Sequence, residues 1–84
     1  PLEMAAAAGR ADMVRFLLDN GADVNAQGIY GRTALHRAAQ ADHVDVAAIL
    51  LEHGANPALE NNGSPVRPQS DAFRKLLEDH AEKD

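Results

Sequence analysis

Eighty-four residues, 45% of them apolar, with a formal charge of −5, bound one small domain with a thin core, because so short a chain buries little more than half the surface it exposes when unfolded. Acids and bases are interspersed, so no basic stripe is available to neutralise phosphates, and nucleic acid and membrane are set aside as partners; no apolar run approaches the roughly 20 residues of a membrane span. The absence of cysteine excludes disulfides and thiolate metal sites and leads us to expect an intracellular setting, cytoplasm or nucleus.

Large rings do not build this core, since Phe16, Tyr30 and Phe73 are the only aromatics; alanine, which lets helices approach closely, supplies much of the apolar content. Displacing the sequence by 33 residues places residues 1–27 on 34–60 and matches Leu2, Ala5, Ala6, Ala8, Asp12, Leu17, Leu18, Gly21 and Ala22 with identical residues. That self-similarity marks an internal repeat. The first unit, 1–32, opens with a short apolar helix from Leu2 and continues in a second from Met13 to Asn20, which Gly21 ends in a left-handed cap. Because the chain opens inside a unit and Leu2, Met4, Ala5, Val14, Phe16 and Leu17 include residues that should face a preceding one, we expect a fragment lacking upstream repeats, or self-association through the uncapped N-terminal end.

Residues 21–33 are too rich in Gly and Asn for a helix and predict an extended, hairpin-like excursion whose tip projects from the stack. The second unit, 33–63, has Leu35, Ala38 and Ala39 on one helical face, with His36, Arg37 and Gln40 expected to turn away from it. Its second helix, 44–53, directs Val46, Ile49, Leu50 and Val44 inward and stops at Gly54. Asp12 and Asp45 fall in the first turns of the second helices, where a carboxylate meets the positive end of the helix dipole. Asp42 stands where the turn between helices needs a left-handed residue, a conformation that Asp tolerates.

The link from Gly54 to Ser64 is two residues shorter than that from Gly21 to Thr33, and Pro68 interrupts the place of the next first helix. Residues 64–84 are therefore read as a degenerate C-terminal cap: Ser70 caps a final helix with Phe73, Leu76, Leu77 and His80 as its apolar stripe, and Arg74 and Lys75 lie four residues before Glu78 and Asp79. Neither helix pair can bury both of its faces alone, so the product is a solenoid.

Reactive chemistry is thin. His36, His43, His53 and His80 form no pair on one helix face and no metal cage. Gly28-Ile29-Tyr30-Gly31 lacks the third glycine and preceding strand of a phosphate loop, and Ser64 and Ser70 flank the cap prolines with no histidine at a telling distance. We expect no cofactor, no metal and no catalysis.

Thr33-Ala34-Leu35-His36-Arg37-Ala38-Ala39, the Leu-Leu pairs, Gly21-Ala22-Asp23-Val24-Asn25-Ala26 and Gly54-Ala55-Asn56-Pro57 resemble the ankyrin repeat family, with Ala34 in place of proline, Glu3 in place of histidine and Asp42 in place of glycine. The resemblance implies an all-α solenoid of antiparallel helix pairs joined by hairpin-like loops, and a histidine at position 36 that bonds to nearby backbone or hydroxyl groups. It also implies a protein–protein interaction module that presents a concave surface of loop tips and first helices to a protein partner. Carried over by position, that surface comprises Gln27, Ile29, Tyr30 and Arg32 at the first tip, Met4, Ala7, Ala8, Arg37, Gln40 and Ala41 on the first helices, and Glu60, Asn61 and Asn62 at the second tip. Arg32 and Arg37, on a generally acidic molecule, suggest a partner segment bearing a carboxylate. The alternative is a regulatory or targeting segment of a larger enzyme whose catalytic domain lies outside these residues.

Overall fold

The computed structural model describes residues 2–28, 32–56 and 70–81. These hold five helices: α1 Leu2–Ala7, α2 Ala11–Asp19, α3 Ala34–Gln40, α4 Val44–Glu52 and α5 Asp71–Ala81. Among the described residues there is no strand. Among the described residues of the hairpin-like excursion, the Gly28 N–H donates to the Arg32 carbonyl at 2.7 Å.

The first four helices end in one motif. After α1, α2, α3 and α4 the chain passes through a residue of positive φ, respectively Gly9 (73°), Gly21 (93°), Asp42 (57°) and Gly54 (91°). Each time, the next N–H reaches back to the carbonyl four residues before the left-handed residue: Arg10 to Ala5 at 3.0 Å, Ala22 to Leu17 at 3.0 Å, His43 to Ala38 at 2.9 Å and Ala55 to Leu50 at 2.9 Å. Such a bond satisfies a carbonyl that the helix itself leaves open, and the left-handed residue turns the chain sharply enough to make it. Asp42 is the one non-glycine among the four, as the sequence predicts. Its strain is offset by a role for its side chain, described below.

Two layers follow. The first helices α1 and α3 pack side by side, α2 stacks on α4, each pair closes on itself, and α5 packs on α4. One continuous core results, with Leu35, Val46, Leu50, Val14 and Phe73 fully enclosed and Ala5, Ala6, Ala38 and Ala39 filling the close approach between first helices. Burying one large aliphatic side chain contributes about 1.5–3 kcal/mol, so Leu35, Val46 and Leu50 weigh heavily in so small a domain.

Polar bonds register the layers. Asn25 of the first linker donates from Nδ2 to the Gly54 carbonyl at 3.2 Å and accepts the Asn56 N–H at Oδ1 at 2.7 Å, bonding one linker to the next. His43 lies against Gly9, where a Cβ would come within 2.8 Å of its ring, and its Nε2 sits 3.2 Å from the Ala7 carbonyl. Ser70 caps α5 by accepting the Phe73 N–H at 3.2 Å, and its hydroxyl donates to Asp42 Oδ1 at 2.8 Å. Asp42 thus tolerates its left-handed backbone while tying the turn of the second pair to α5.

Two sequence expectations are corrected here. His36 is not turned away from the core but is 3% exposed, because it completes a capping box: its N–H donates to Thr33 Oγ1 at 3.2 Å, while its Nδ1 accepts the Thr33 N–H at 3.4 Å and lies 2.8 Å from the hydroxyl. Closing that box pulls the ring back over the helix start. The structural role that the family resemblance implies for His36 is the one observed. Arg74 pairs with Asp71 one turn earlier, rather than with Glu78. Phe73 is buried and Leu76 and Leu77 are half-buried, as the stripe predicts, whereas the His80 side chain lies outside the described residues.

Candidate functional site

Two repeats stacked in register place α1 beside α3, so a surface built from first helices is continuous across them. On α1, Met4 is exposed and Ala7 half-buried, with Ala8 exposed just beyond it; on α3 and its cap residue, Gln40 and Ala41 are exposed. These are the positions left over once Leu2, Ala5 and Ala6, and Leu35, Ala38 and Ala39, have turned inward: small alanines, the polar Gln40 and one large apolar side chain, Met4. Gln27 is exposed on the first linker and Arg32 is half-buried. Ile29 and Tyr30 at the first tip, and Glu60, Asn61 and Asn62 at the second, lie outside the described residues.

Arg37 differs from its expected role. It is half-buried and its Nε lies 3.0 Å from Glu3 Oε1, a pair that joins α3 to α1 with both side chains largely sheltered from water. Glu3 already engages the Arg37 Nε, so a partner carboxylate would meet a guanidinium whose charge is partly neutralised within the chain. The reason is the substitution at position 3: a carboxylate stands at the head of α1 where the family pattern has histidine, and it faces the guanidinium of the next repeat.

Glu3 also borders a cleft of about 350 Å³ lined by Leu2, Leu17, Ala22, Asp23, Gln27 and Gly28. Gly28 and the Glu3 carboxylate lie close together there, since a Cβ on Gly28 would fall 2.2 Å from Glu3 Oε2 and the Glu3 side chain would have to shift. Asp23 forms the cleft rim with its Oδ1 accepting the Asn25 N–H at 3.0 Å, which fixes the linker as it leaves α2. The cleft is mainly apolar and has few polar groups. It brings Gln27 together with Glu3, and through Glu3 with Arg37, but does not include Met4, Ala7, Ala8, Gln40 or Ala41. Glu3, Asp23 and Gly28 are the members that sequence reasoning missed. The departure at position 3 was their signal, followed by an arginine 34 residues later.

Among the described residues no group of histidines and carboxylates is placed to hold a metal ion, and no helix is long and apolar enough to cross a membrane.

Residues 1–61 match the family model described as "Ankyrin repeats (3 copies)". The chain is 45% identical over 62 residues to neurogenic locus notch homolog protein 1 of Xenopus laevis, a match covering 74% of this chain and 2% of that protein. It is 50% identical over 48 residues to a putative ankyrin repeat protein of Acanthamoeba polyphaga mimivirus, covering 57% of this chain and 30% of that one. Among solved structures it is similar to the human ASB11 ankyrin repeat domain, with a TM-score of 0.82 and 32% identity over 93% of this chain and 38% of the other. The chain therefore spans a minor part of each of these relatives. With the 33-residue register, the shared helix ends and the stacked helix pairs in place, this chain belongs to the ankyrin repeat family.

Proposed function

We propose that the chain is a protein–protein interaction module that offers the concave side of its stack, made of first helices and loop tips, to a protein partner. Ankyrin repeats are generally protein–protein interaction modules, and theirs is a non-catalytic interaction fold. The observation that supports the surface is the row of exposed Met4, Ala8, Gln40 and Ala41 on two helices held rigidly together by what they bury. Its alanines cost little ordering entropy when the face binds, and Met4 supplies apolar area. Gln27, Ile29, Tyr30 and Arg32 extend that face at the first tip, with Tyr and Arg as interface anchors, and Glu60, Asn61 and Asn62 extend it at the second. Ala7 borders it, and Arg37 supports it from below through Glu3. In this reading, residues 1–32 and 33–63 are the two repeats and 64–84 the terminal cap of one intracellular domain.

The test is affinity capture with the wild-type chain and with an Ile29→Ala, Tyr30→Ala, Gln40→Ala variant whose fold is checked by circular dichroism. Gln40 replaces Arg37 as the helix probe, because losing Arg37 would also unpair Glu3. A bound protein that is lost from the folded variant supports the surface, and undiminished capture by the variant overturns it.

A further inference from the structure

We propose that the cleft where the first linker passes α1 takes a lysine side chain of the protein partner, its aliphatic stem on the apolar floor and its ammonium at the Glu3 and Asp23 carboxylates. The inference rests on the reading of the chain as a protein-interaction module, and it names one side chain that the partner brings. A cavity of about 350 Å³ lies at the small end of binding pockets and admits a single side chain rather than a folded element. Its floor is apolar, made by Leu2, Leu17, Ala22, Ala26 and Ala34. Because Leu2 and Ala34 are themselves buried, the floor is backed by the core and keeps its shape when it is covered.

The carboxylates select the occupant. Glu3 uses Oε1 for Arg37 Nε at 3.0 Å, and Asp23 uses Oδ1 for the Asn25 N–H at 3.0 Å. Among the described residues, Glu3 Oε2 and Asp23 Oδ2 make no hydrogen bond and Asp23 has no ion pair. Arg37 answers Glu3 at one oxygen, so the cleft keeps negative charge on a chain whose formal charge is −5. A wholly apolar side chain entering here would strip water from those oxygens and return no hydrogen bond, and a carboxylate would be repelled. The fork of an arginine needs both oxygens of one carboxylate, and each carboxylate here has one already engaged. Lysine meets every demand: its four-carbon stem lies on apolar surface, and its compact ammonium donates to single oxygens of two different groups.

Capped single amino acids test this without the partner. N-acetyl-lysine methylamide and its norleucine, arginine and glutamate analogues are titrated into the isotope-labelled 84-residue chain, and binding is read from amide chemical shifts. The lysine compound should move the signals of Ala22, Asp23 and Gly28, and the norleucine analogue should bind about tenfold more weakly. Asp23→Asn, which keeps an oxygen for the Asn25 N–H, should weaken the lysine compound about threefold. Ala26→Leu, at an exposed position of the floor, fills the cleft without changing its charge and should abolish the shifts; the amide spectrum of each variant checks its fold. Norleucine, arginine or glutamate bound as well as lysine would overturn the proposal, as would no shift at these amides with any compound, or lysine binding that survives Ala26→Leu. Failure here is distinct from failure of the concave surface, because the titration needs no partner and the affinity capture varies residues 29, 30 and 40, none of which is substituted here.

Discussion

The two helix pairs are near copies in sequence and unequal in circumstance. Phe16 and Ile49 occupy one position of the repeat, yet the smaller side chain is enclosed and the larger stands in water. Burial in this fold is therefore set by the neighbour as much as by the residue, as expected of a quasi-one-dimensional stack in which each unit touches only the next. The second pair, held from both sides, should carry most of the stability, and the first should yield sooner.

The largest effect expected from this asymmetry comes from paired truncations. Ile49→Ala should cost about 2–5 kcal/mol, because it opens a cavity between enclosed neighbours, whereas Phe16→Ala should cost under about 1 kcal/mol despite removing more atoms. Urea denaturation of the two variants gives both numbers, and equal costs would break the comparison. Next come the turns. Gly9→Ala combines a left-handed backbone with a collision against the His43 ring and should cost about 2 kcal/mol, while Gly21→Ala, strained in φ but with nothing within 4 Å of the added Cβ, should cost about 1 kcal/mol. A Gly9→Ala variant as stable as Gly21→Ala would show that the His43 contact does not hold the two turns together.

Smaller still is the cap of α3, which α1 lacks a counterpart for in its described residues. Thr33→Ala removes a capping box and should lower stability by about 1 kcal/mol, measured by thermal unfolding. At the low end, Arg37→Ala should cost about 1 kcal/mol, since a single ion pair that water still reaches contributes little. A loss several times larger would mean that the Glu3 carboxylate is held against Gly28 by Arg37 alone.

Much of this architecture can be read from the residues, because helix ends have local causes. Gly21 and Gly54 mark left-handed caps, Asp42 marks a third, and Ser70 marks the start of α5, each by chemistry confined to a few neighbours. The pattern of Leu2, Ala5 and Ala6 and its repeat at 35, 38 and 39 likewise reports one face of one helix. Contacts between repeats are less legible. The Glu3–Arg37 pair spans 34 positions, and helical periodicity in either segment assigns Arg37 to an outward face without showing that the neighbouring helix meets it there. His36 misleads for a related reason: its place on the helix points away from the core, and a hydroxyl three residues earlier draws the ring back. The Ser70–Asp42 bond joins a cap to a turn 28 residues away, and its two partners are visible separately but not as a pair.

The unequal standing of the two pairs is tested most directly by amide hydrogen exchange, followed by mass spectrometry on the 84-residue chain. Amides of α4, between α2 and α5, should exchange only with global unfolding, and those of α2 should exchange faster through opening of the first pair. Equal protection of α2 and α4 would contradict the account, because it would mean that the first pair is as firmly held on one side as the second is on two.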